Sequence, residues 1–455
     1  MGEIRLSVGM LICMQAFCMQ AEAATPTLGV VEVRAGLEVS NQEQSSPSAS
    51  RLGVTLKEIP ASVEIVDRHT ISDHGKRQIV EAVEMATGMS GGTNGSTPLT
   101  VQTRGFTRNA VRYLYDGIDL GSANTTGRQG GVFNLERIEV LRGPASVLHG
   151  DGAMGGVLNF VTKAPSRRND GVDVEVGMGS YETTRYGIGT GGIIADKAAY
   201  YRVDMSGMHA GDGAYDTGKD FGRFTSSLLF DITERLSASF HLDYAKDRTS
   251  QFYFGTPLRD GKIDPSLSKI NYNTVVGDAF RSENTLARAI VQWRPNNAWD
   301  IKNTAYYSAA HRDWRNLDTF VLNSATNRVS RSFSDLDHDQ TDLGNRLELL
   351  NKSHWFGHDN RLAFGIEMAS TGFQSHRNGF LGSDTVDAYN PPTVLASSLP
   401  GVRYRTTGND IRDVTIDKTS YFIDDQFSLT SQLKLVAGAR HDKISTKFRY
   451  ITQSG

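Results

Sequence analysis

From Gly171 onward, apolar and polar residues alternate with a period of two. Val172, Val174, Val176 and Met178 interleave with Asp173, Glu175, Gly177 and Gly179. Leu236, Ala238, Phe240, Leu242 and Tyr244 interleave with Ser237, Ser239, His241 and Asp243. The same pattern returns around Leu362, Phe364, Ile366 and Met368, and around Leu433, Leu435, Ala437 and Ala439. A period of two predicts strands with one apolar and one polar face. Such strands suit a soluble sheet with one wet side, or a membrane barrel with lipid outside and a polar lumen. The runs are about 8–11 residues, the length of a tilted membrane strand rather than a soluble one of about 5–6. Connections of two lengths join them. Residues 232–236 and 294–298 read as tight turns, whereas about 248–284, 312–340 and 373–417 read as long polar excursions. Short turns at one end and long loops at the other is the pattern of an outer-membrane barrel.

Before residue 166 the pattern is different. Ile79, Val80 and Val83 have helical spacing, with Gly88 as a stop. Residues 61–66 are β-like, and 137–141 alternate charged and apolar residues. These signals predict a compact α+β domain over 51–165 and a barrel portion over 166–455. Residues 24–50 are small, polar and unpatterned, ending in Ser45-Ser46-Pro47-Ser48, and predict a flexible tether. Within them Gly29-Val30-Val31-Glu32-Val33 is a short extended-looking island. Residues 1–23 read as a secretory signal: Arg5 in a short n-region, an apolar core over 8–19, and Ala21-Glu22-Ala23 as cleavage site.

Composition narrows the chemistry. The chain has 455 residues and a formal net charge of −3, so no broad nucleic-acid-binding surface is implied. Its two cysteines, Cys13 and Cys18, both lie in the signal, which leaves the mature chain without disulfide or thiol nucleophile. After the signal no stretch approaches the roughly 20 apolar residues of a membrane helix. Residues 150–155 and 187–192 match G-x-G-x-x-G. The first leads into a β-like run and the second sits inside strand-type alternation, so neither has the strand–loop–helix context of a dinucleotide site. His354 and His358 have the spacing of a metal pair, but Gly357 makes that segment a turn. No G-x-S-x-G, Walker or H-E-x-x-H motif appears, and no enzymatic activity is expected.

One segment is far more specific. Residues 134–162 read NLERIEVLRGPASVLHGDGAMGGVLNFVT, followed by Lys163-Ala164-Pro165. This closely resembles the plug signature of TonB-dependent outer-membrane receptors, an IEVxRGPxSxLYG run followed by GGxxNxxTK. Ile138-Glu139-Val140, Arg142-Gly143-Pro144, Ser146, Leu148, Gly155-Gly156, Asn159 and Thr162-Lys163 stand in place. Upstream, Arg104-Gly105-Phe106 and Tyr115-Asp116-Gly117-Ile118 resemble two further plug elements, and residues 54–65 its opening. Residues 254–258, 271–273, 421–426 and 438–442 resemble the siderophore-receptor subgroup. His149 departs from the pattern, where the family has tyrosine.

The resemblance implies an α+β plug inside an antiparallel transmembrane β-barrel of 22 strands. Roughly 11 strands are expected in this chain, so it reads as a fragment that would not close or transport alone. It implies the outer membrane of a Gram-negative bacterium, with outer-membrane lipid around the barrel. It implies import of a ferric siderophore, powered by TonB and its inner-membrane energising complex. The iron arrives already chelated, so neither a resident cofactor nor protein metal ligands are expected. Haem, cobalamin or a carbohydrate is the alternative cargo, and a porin independent of TonB the reading of another class. Val30, Val31, Glu32 and Val33 would be the TonB box, adding a strand to TonB's sheet. Arg104 and Arg142 would latch the plug to barrel carboxylates. Ligand contacts would come from Arg108, Tyr113, Arg128 and Gln129 of the plug and from Tyr253, Phe254 and Trp314 of the loops.

Overall fold

A computed structural model describes residues 44–451, apart from 95–96, 108–109, 122–125, 129, 144, 151, 196–197, 212–217, 251–252, 277–278, 396–402 and 405–409. The expected signal peptide, the TonB box, Arg108 and Gln129 lie outside the described residues.

The α+β part contains β1 (Ser62–Asp67), β2 (Met89–Asn94), β3 (Thr97–Thr103), β4 (Phe106–Thr107), β5 (Val111–Tyr115), β6 (Ile118–Asp119), β7 (Leu135–Arg142) and β8 (Gly156–Thr162). Its helices are short: α1 (Arg68–Asp73), α2 (Ile79–Val83) and α3 (Ser146–His149). Local chemistry fixes their starts. The Asp67 carboxylate accepts the Thr70 amide at 2.8 Å and caps α1. Glu81 reaches back to the amides of Arg77 (2.8 Å) and Gln78 (3.2 Å) and caps α2. The predicted helix ends at Val83 rather than at Gly88, which stands beyond it with φ +70°. A five-stranded sheet runs β1-β7-β8-β5-β6, with only the β5–β8 pair parallel. Central β8 is buried on both faces from Gly156 to Phe160. Ile79, Ala82 and Val83 of α2 pack with Tyr115, Ile138, Leu158 and Phe160 of the sheet. The glycine pair at the start of β8 has a steric reason: a Cβ at Gly156, φ +136°, would stand 2.3 Å from the Leu141 carbonyl oxygen.

The packed region begins before residue 51, contrary to the expected tether boundary. Ser45 bridges Thr55, and Ser46, Ser48 and Ala49 are buried. These small polar residues are ordered because they find a buried acceptor, described below.

Eleven strands follow in an uninterrupted antiparallel ladder: β9 (Gly171–Gly179), β10 (Thr183–Ala195), β11 (Ala199–Gly211), β12 (Gly218–Thr233), β13 (Leu236–Ser250), β17 (Ala279–Asn296), β18 (Trp299–Asn323), β19 (Arg328–Trp355), β20 (His358–Asp387), β23 (Asp410–Ser428) and β24 (Lys434–Ile451). The remaining short strands, β14 (Leu258–Arg259), β15 (Lys262–Ile263), β16 (Val275–Val276), β21 (Val394–Leu395) and β22 (Arg403–Tyr404), lie in the long connections. The tight turns at 234–235 and 297–298 stand where alternation placed them. The second G-x-G-x-x-G match lies within β10, and the turn at 356–357 separates His354 from His358.

Two of the expected excursions are largely strand: 312–340 apart from the turn at 324–327, and 373–417 apart from the connection 388–409. β18 and β19 stay paired up to Asn323↔Arg328, and β19 and β20 up to Arg328↔Asp387. The alternation marked only the part of each strand whose outward face is apolar. Beyond it the outward face turns polar while the backbone ladder continues, which gives strands of up to 30 residues. The connection between β13 and β17 packs on these extensions around Leu267, Tyr272, Leu317, Val329 and Phe333.

The sheet is inverted relative to a soluble one. Outward residues are apolar and exposed, Met178 at 84% and Phe240 at 53%, while inward Asp204 and Asp243 are 0% and 2% exposed. That inversion is the signature of a wall with lipid outside and a polar filling.

Candidate functional site

The inward face of the wall meets the α+β domain through charged and hydrogen-bonding groups of both signs. Arg128, in a glycine-flanked loop before β7, places Nη1 2.8 Å from Asp243 Oδ2 of β13. Arg223 of β12 shares that carboxylate at 3.1 Å, and the Arg128 guanidinium lies 4.3 Å from the Tyr115 ring centroid. The polarity reverses at Asp116, whose Oδ2 meets Arg288 of β17 at 2.7 Å. Asp116 sits at the tight turn between β5 and β6 with φ +51° and also accepts the Thr162 amide and hydroxyl, both at 2.8 Å. One carboxylate thus ties β5, β8 and the wall together. Asn134 donates to the Asp204 carbonyl (3.0 Å) and Thr225 Oγ1 (2.9 Å) and accepts from Ser206 Oγ (2.6 Å). Lys163 reaches Asp173 (3.2 Å) and Asp204 (3.4 Å).

The segment 44–58 forms a strap between domain and wall. Ser46 and Ser48 donate to Glu139 Oε2 at 2.8 and 2.5 Å. Asn159 also donates to that oxygen, at 3.1 Å, and Arg137 Nε to the other, at 2.8 Å, so this fully buried carboxylate is satisfied on both sides. His149 Nε2 lies 2.6 Å from the Ser48 carbonyl. Burial, with the nearby Arg51 charge, pushes His149 down to about 3, so the ring is neutral and donates through Nε2. The Arg51 guanidinium stacks 3.8 Å from the Phe422 ring centroid, donates to the Leu148 carbonyl, and faces Asp424 (3.4 Å) and Glu348 (3.7 Å) of the wall. Burial lowers Arg51 to about 10, and it stays charged at neutral pH. Further along, Arg361 donates to the Gly53 carbonyl at 2.8 Å, and Lys434 pairs with Glu58.

Beside the strap a chamber of about 710 Å³ separates domain and wall. Arg51, Arg112 and His149 line it from one side, Arg346, Asp342 and Lys418 from the other. Two inward residues of β19 cross to the domain: Gln340 donates to the Leu120 carbonyl (2.6 Å) and Arg346 to the Gly117 carbonyl (3.2 Å). Along β19 the lining runs from Arg346 to His338, roughly 27 Å at strand rise. Among the described residues no group of three His, Cys, Asp or Glu could hold a metal ion.

The TonB-dependent Receptor Plug Domain family matches residues 55–157, and the TonB dependent receptor-like, beta-barrel family matches 223–454. The chain belongs to the TonB-dependent receptors. Its α+β domain is the receptor plug and its ladder the receptor barrel wall. The "Probable TonB-dependent siderophore receptor PiuA" of Acinetobacter baumannii is 23% identical over 481 residues, 97% of this chain and 62% of PiuA. The "Vitamin B12 transporter BtuB" of Vibrio vulnificus is 28% identical over 221 residues, 45% of this chain and 34% of BtuB. Pseudomonas aeruginosa FpvA, solved with a heterologous pyoverdine and iron, superposes with TM-score 0.79 at 18% identity, over 92% of this chain and 56% of FpvA. The chain therefore spans about 60% of the length of PiuA.

The receptor's plug contacts correct several expectations. Arg142 does not reach the wall; it pairs with Glu64 of β1 inside the plug and lies 3.3 Å from Ser62 Oγ. The β1–β7 register explains this, since Ser62 stands opposite Arg142 and Glu64 is the next residue on that face. Arg104 is exposed at a turn with φ +49° and pairs with no carboxylate among the described residues. Arg128, expected at the ligand, is instead buried on Asp243. Tyr113 belongs to the plug core: it is 3% exposed, accepts the Val101 amide at 3.0 Å, and is pushed up to about 12 by burial. Tyr253 donates to the Ser268 carbonyl at 2.8 Å, and Phe254 packs edge-on to Trp314, which is itself buried. Tyr253 thus ties the loop to itself, and the Phe254–Trp314 contact ties it to the wall. Asp116, Asn134, Glu139 and the strap serines were missed. The alternation did hold the signal for the wall side: Asp204, Arg223 and Asp243 all occupy polar, inward positions.

Proposed function

We propose that this chain is the gated part of an outer-membrane receptor that imports a ferric siderophore into a Gram-negative bacterium, powered through TonB. The observation that carries this reading is the joint between plug and wall. A folded domain packs against the inward face of the wall through ion pairs of both polarities and polar hydrogen bonds, and such contacts rearrange at less cost than an apolar core. The names of PiuA and FpvA support a siderophore as cargo. Iron would enter as the chelate, with no resident cofactor in the protein. The box Val30–Val33 would add a strand to TonB, and tension on it would reach the strap next in sequence.

The test is growth of an iron-starved strain that lacks its own siderophore receptors and expresses the full-length receptor. Growth is expected on at least one defined ferric siderophore and is lost when residues 30–33 are deleted. Growth that survives the deletion would remove TonB from the reading. BtuB's resemblance favours cobalamin as the second cargo. Uptake of cobalamin or haem with no growth on any ferric siderophore would replace the first reading by that one.

A further inference from the structure

Above the apolar belt, β23 and β24 exchange the polarity of their two faces. Beyond Tyr421 the outward positions of β23 run Thr419, Asp417, Thr415 and Asp413, and those of β24 run Lys443, Ser445 and Lys447. The inward positions between them are Ile416 and Val414 on β23, and Ile444, Thr446 and Phe448 on β24. Their inward sense is fixed by the chamber, which Phe373, Val414, Ile416 and Ile444 all line. Phe448 stands directly opposite Val414, and Phe373 of β20 opposite Val414 on the other side. The register thus gathers one apolar patch on the bore side of strands whose outer side has become polar. It lies towards the long connections, hence towards the outer surface of the membrane.

The lumen of a membrane barrel is ordinarily polar. Where this wall carries large inward apolar groups lower down, the plug covers them: Leu286 and Tyr306 pack into the plug core. The upper patch has no such cover. Ile444 and Phe448 are 46% and 62% exposed. A bare apolar patch of this kind marks a binding surface. Lipid does not reach it, because it faces inward. It opens into the chamber of about 710 Å³, a volume that suits a small-molecule site.

We propose that this patch seats the aryl groups of the ferric chelate, so that the cargo is an iron complex of the catecholate type. Catechol rings pack against the rings of Phe373 and Phe448 and over the branched side chains of Val414, Ile416 and Ile444. Such a complex is an anion. Lys418, the next inward position below Ile416, lines the chamber and forms no hydrogen bond or ion pair with another described residue, so its ammonium is left to meet that charge. An aliphatic hydroxamate complex of iron(III) is uncharged and has no rings, and it matches neither feature. The inference rests on the siderophore reading above and narrows it.

The test is equilibrium binding to the full-length receptor in detergent, followed by isothermal titration with two probes. One is the iron(III) complex of a synthetic tris-catecholamide, the other that of an aliphatic trihydroxamate. The parent is expected to bind the first about tenfold more tightly than the second. The double variant Val414→Ser/Phe448→Ser should bind the first probe on the order of tenfold more weakly than the parent. Phe448→Leu, which keeps the strand apolar and removes the ring, should cost about threefold. Lys418→Gln should weaken the first probe and leave the second unchanged, and Lys447→Gln, beside Phe448 but outward, should match the parent. The heat-shifted gel band shows which variants fold. Equal affinity of the parent and the folded double variant sinks the proposal and hands the patch to a loop of the receptor itself. A parent that binds the trihydroxamate as tightly as the catecholamide, or binds neither, sinks it too. Growth on a ferric siderophore reports the import reading separately; with growth intact, any of these results refutes the patch alone.

Discussion

At the residue scale, the plug is keyed to its wall by a few buried charges whose partners are indispensable. Asp243 is the counterion of both Arg128 and Arg223. Asp243→Asn takes the buried counterion from Arg128 and Arg223, leaving Arg223 only the Asp247 charge, a change that costs about 3–5 kcal/mol. The plug amides near Arg128 should then exchange hydrogen markedly faster in the folded receptor; unchanged exchange would show that Asp243 does not hold the plug. His149 gives a pH dependence. Its value falls from the ordinary 6.5 to about 3 in the fold, because burial penalises the charged ring. The unfolded plug binds a proton that the folded plug refuses between these values. The His149 contribution is therefore complete above pH 6.5 and is lost progressively as pH falls from there towards 3. Plug stability should decline across this window, and His149→Tyr, whose hydroxyl can still donate towards the Ser48 carbonyl, should flatten the decline. The measurement is plug unfolding followed at a series of pH values.

At the scale of elements, the strap is the piece the sequence hid. Replacing both Ser46 and Ser48 by alanine removes two hydrogen bonds to the Glu139 carboxylate, each worth about 1.5–3 kcal/mol. Segment 44–50 should become protease-sensitive while the barrel keeps its heat-shifted gel mobility. Continued protection would mean that Arg51 and Leu52 hold the strap by themselves. A serine-rich run carries no periodicity, so only its acceptor, 91 residues away in sequence, reveals that it is packed. The strands were legible for the opposite reason. Alternation is a local signal, and it placed β9, β13, β20 and β24 with the correct face outward. It was silent once the outward face became polar, which is why the paired extensions of β18, β19 and β20 read as loops. The latch was half legible: the wall residues follow from parity, but which plug arginine meets them depends on how the plug docks. Arg142 looked available until the β1–β7 register set Glu64 beside it.

At the scale of the whole molecule, plug and wall must part, at least locally, for anything to pass. Asn134 and Thr225 touch across that joint, 2.9 Å apart. No cysteine occurs between residues 19 and 455, so Asn134→Cys/Thr225→Cys introduces the only cysteine pair of that stretch. Bridging it with a short thiol cross-linker should stop iron uptake by the full-length receptor, and a cleavable linker should restore uptake on reduction. Transport at the parental rate with the bridge in place would show that this side of the joint never opens.

The long pairing of β20 sets where the receptor meets its surroundings. Thirty residues extend about 100 Å, whereas a tilted crossing of the hydrocarbon layer takes only about 10 residues. Even after allowance for tilt, the hairpins stand as a parapet roughly 40 Å tall above the bilayer. If the receptor imports as proposed, capture is thereby separated from passage: a solute would be met at the top of this tower, in bulk water, and would descend several nanometres before touching the stopper.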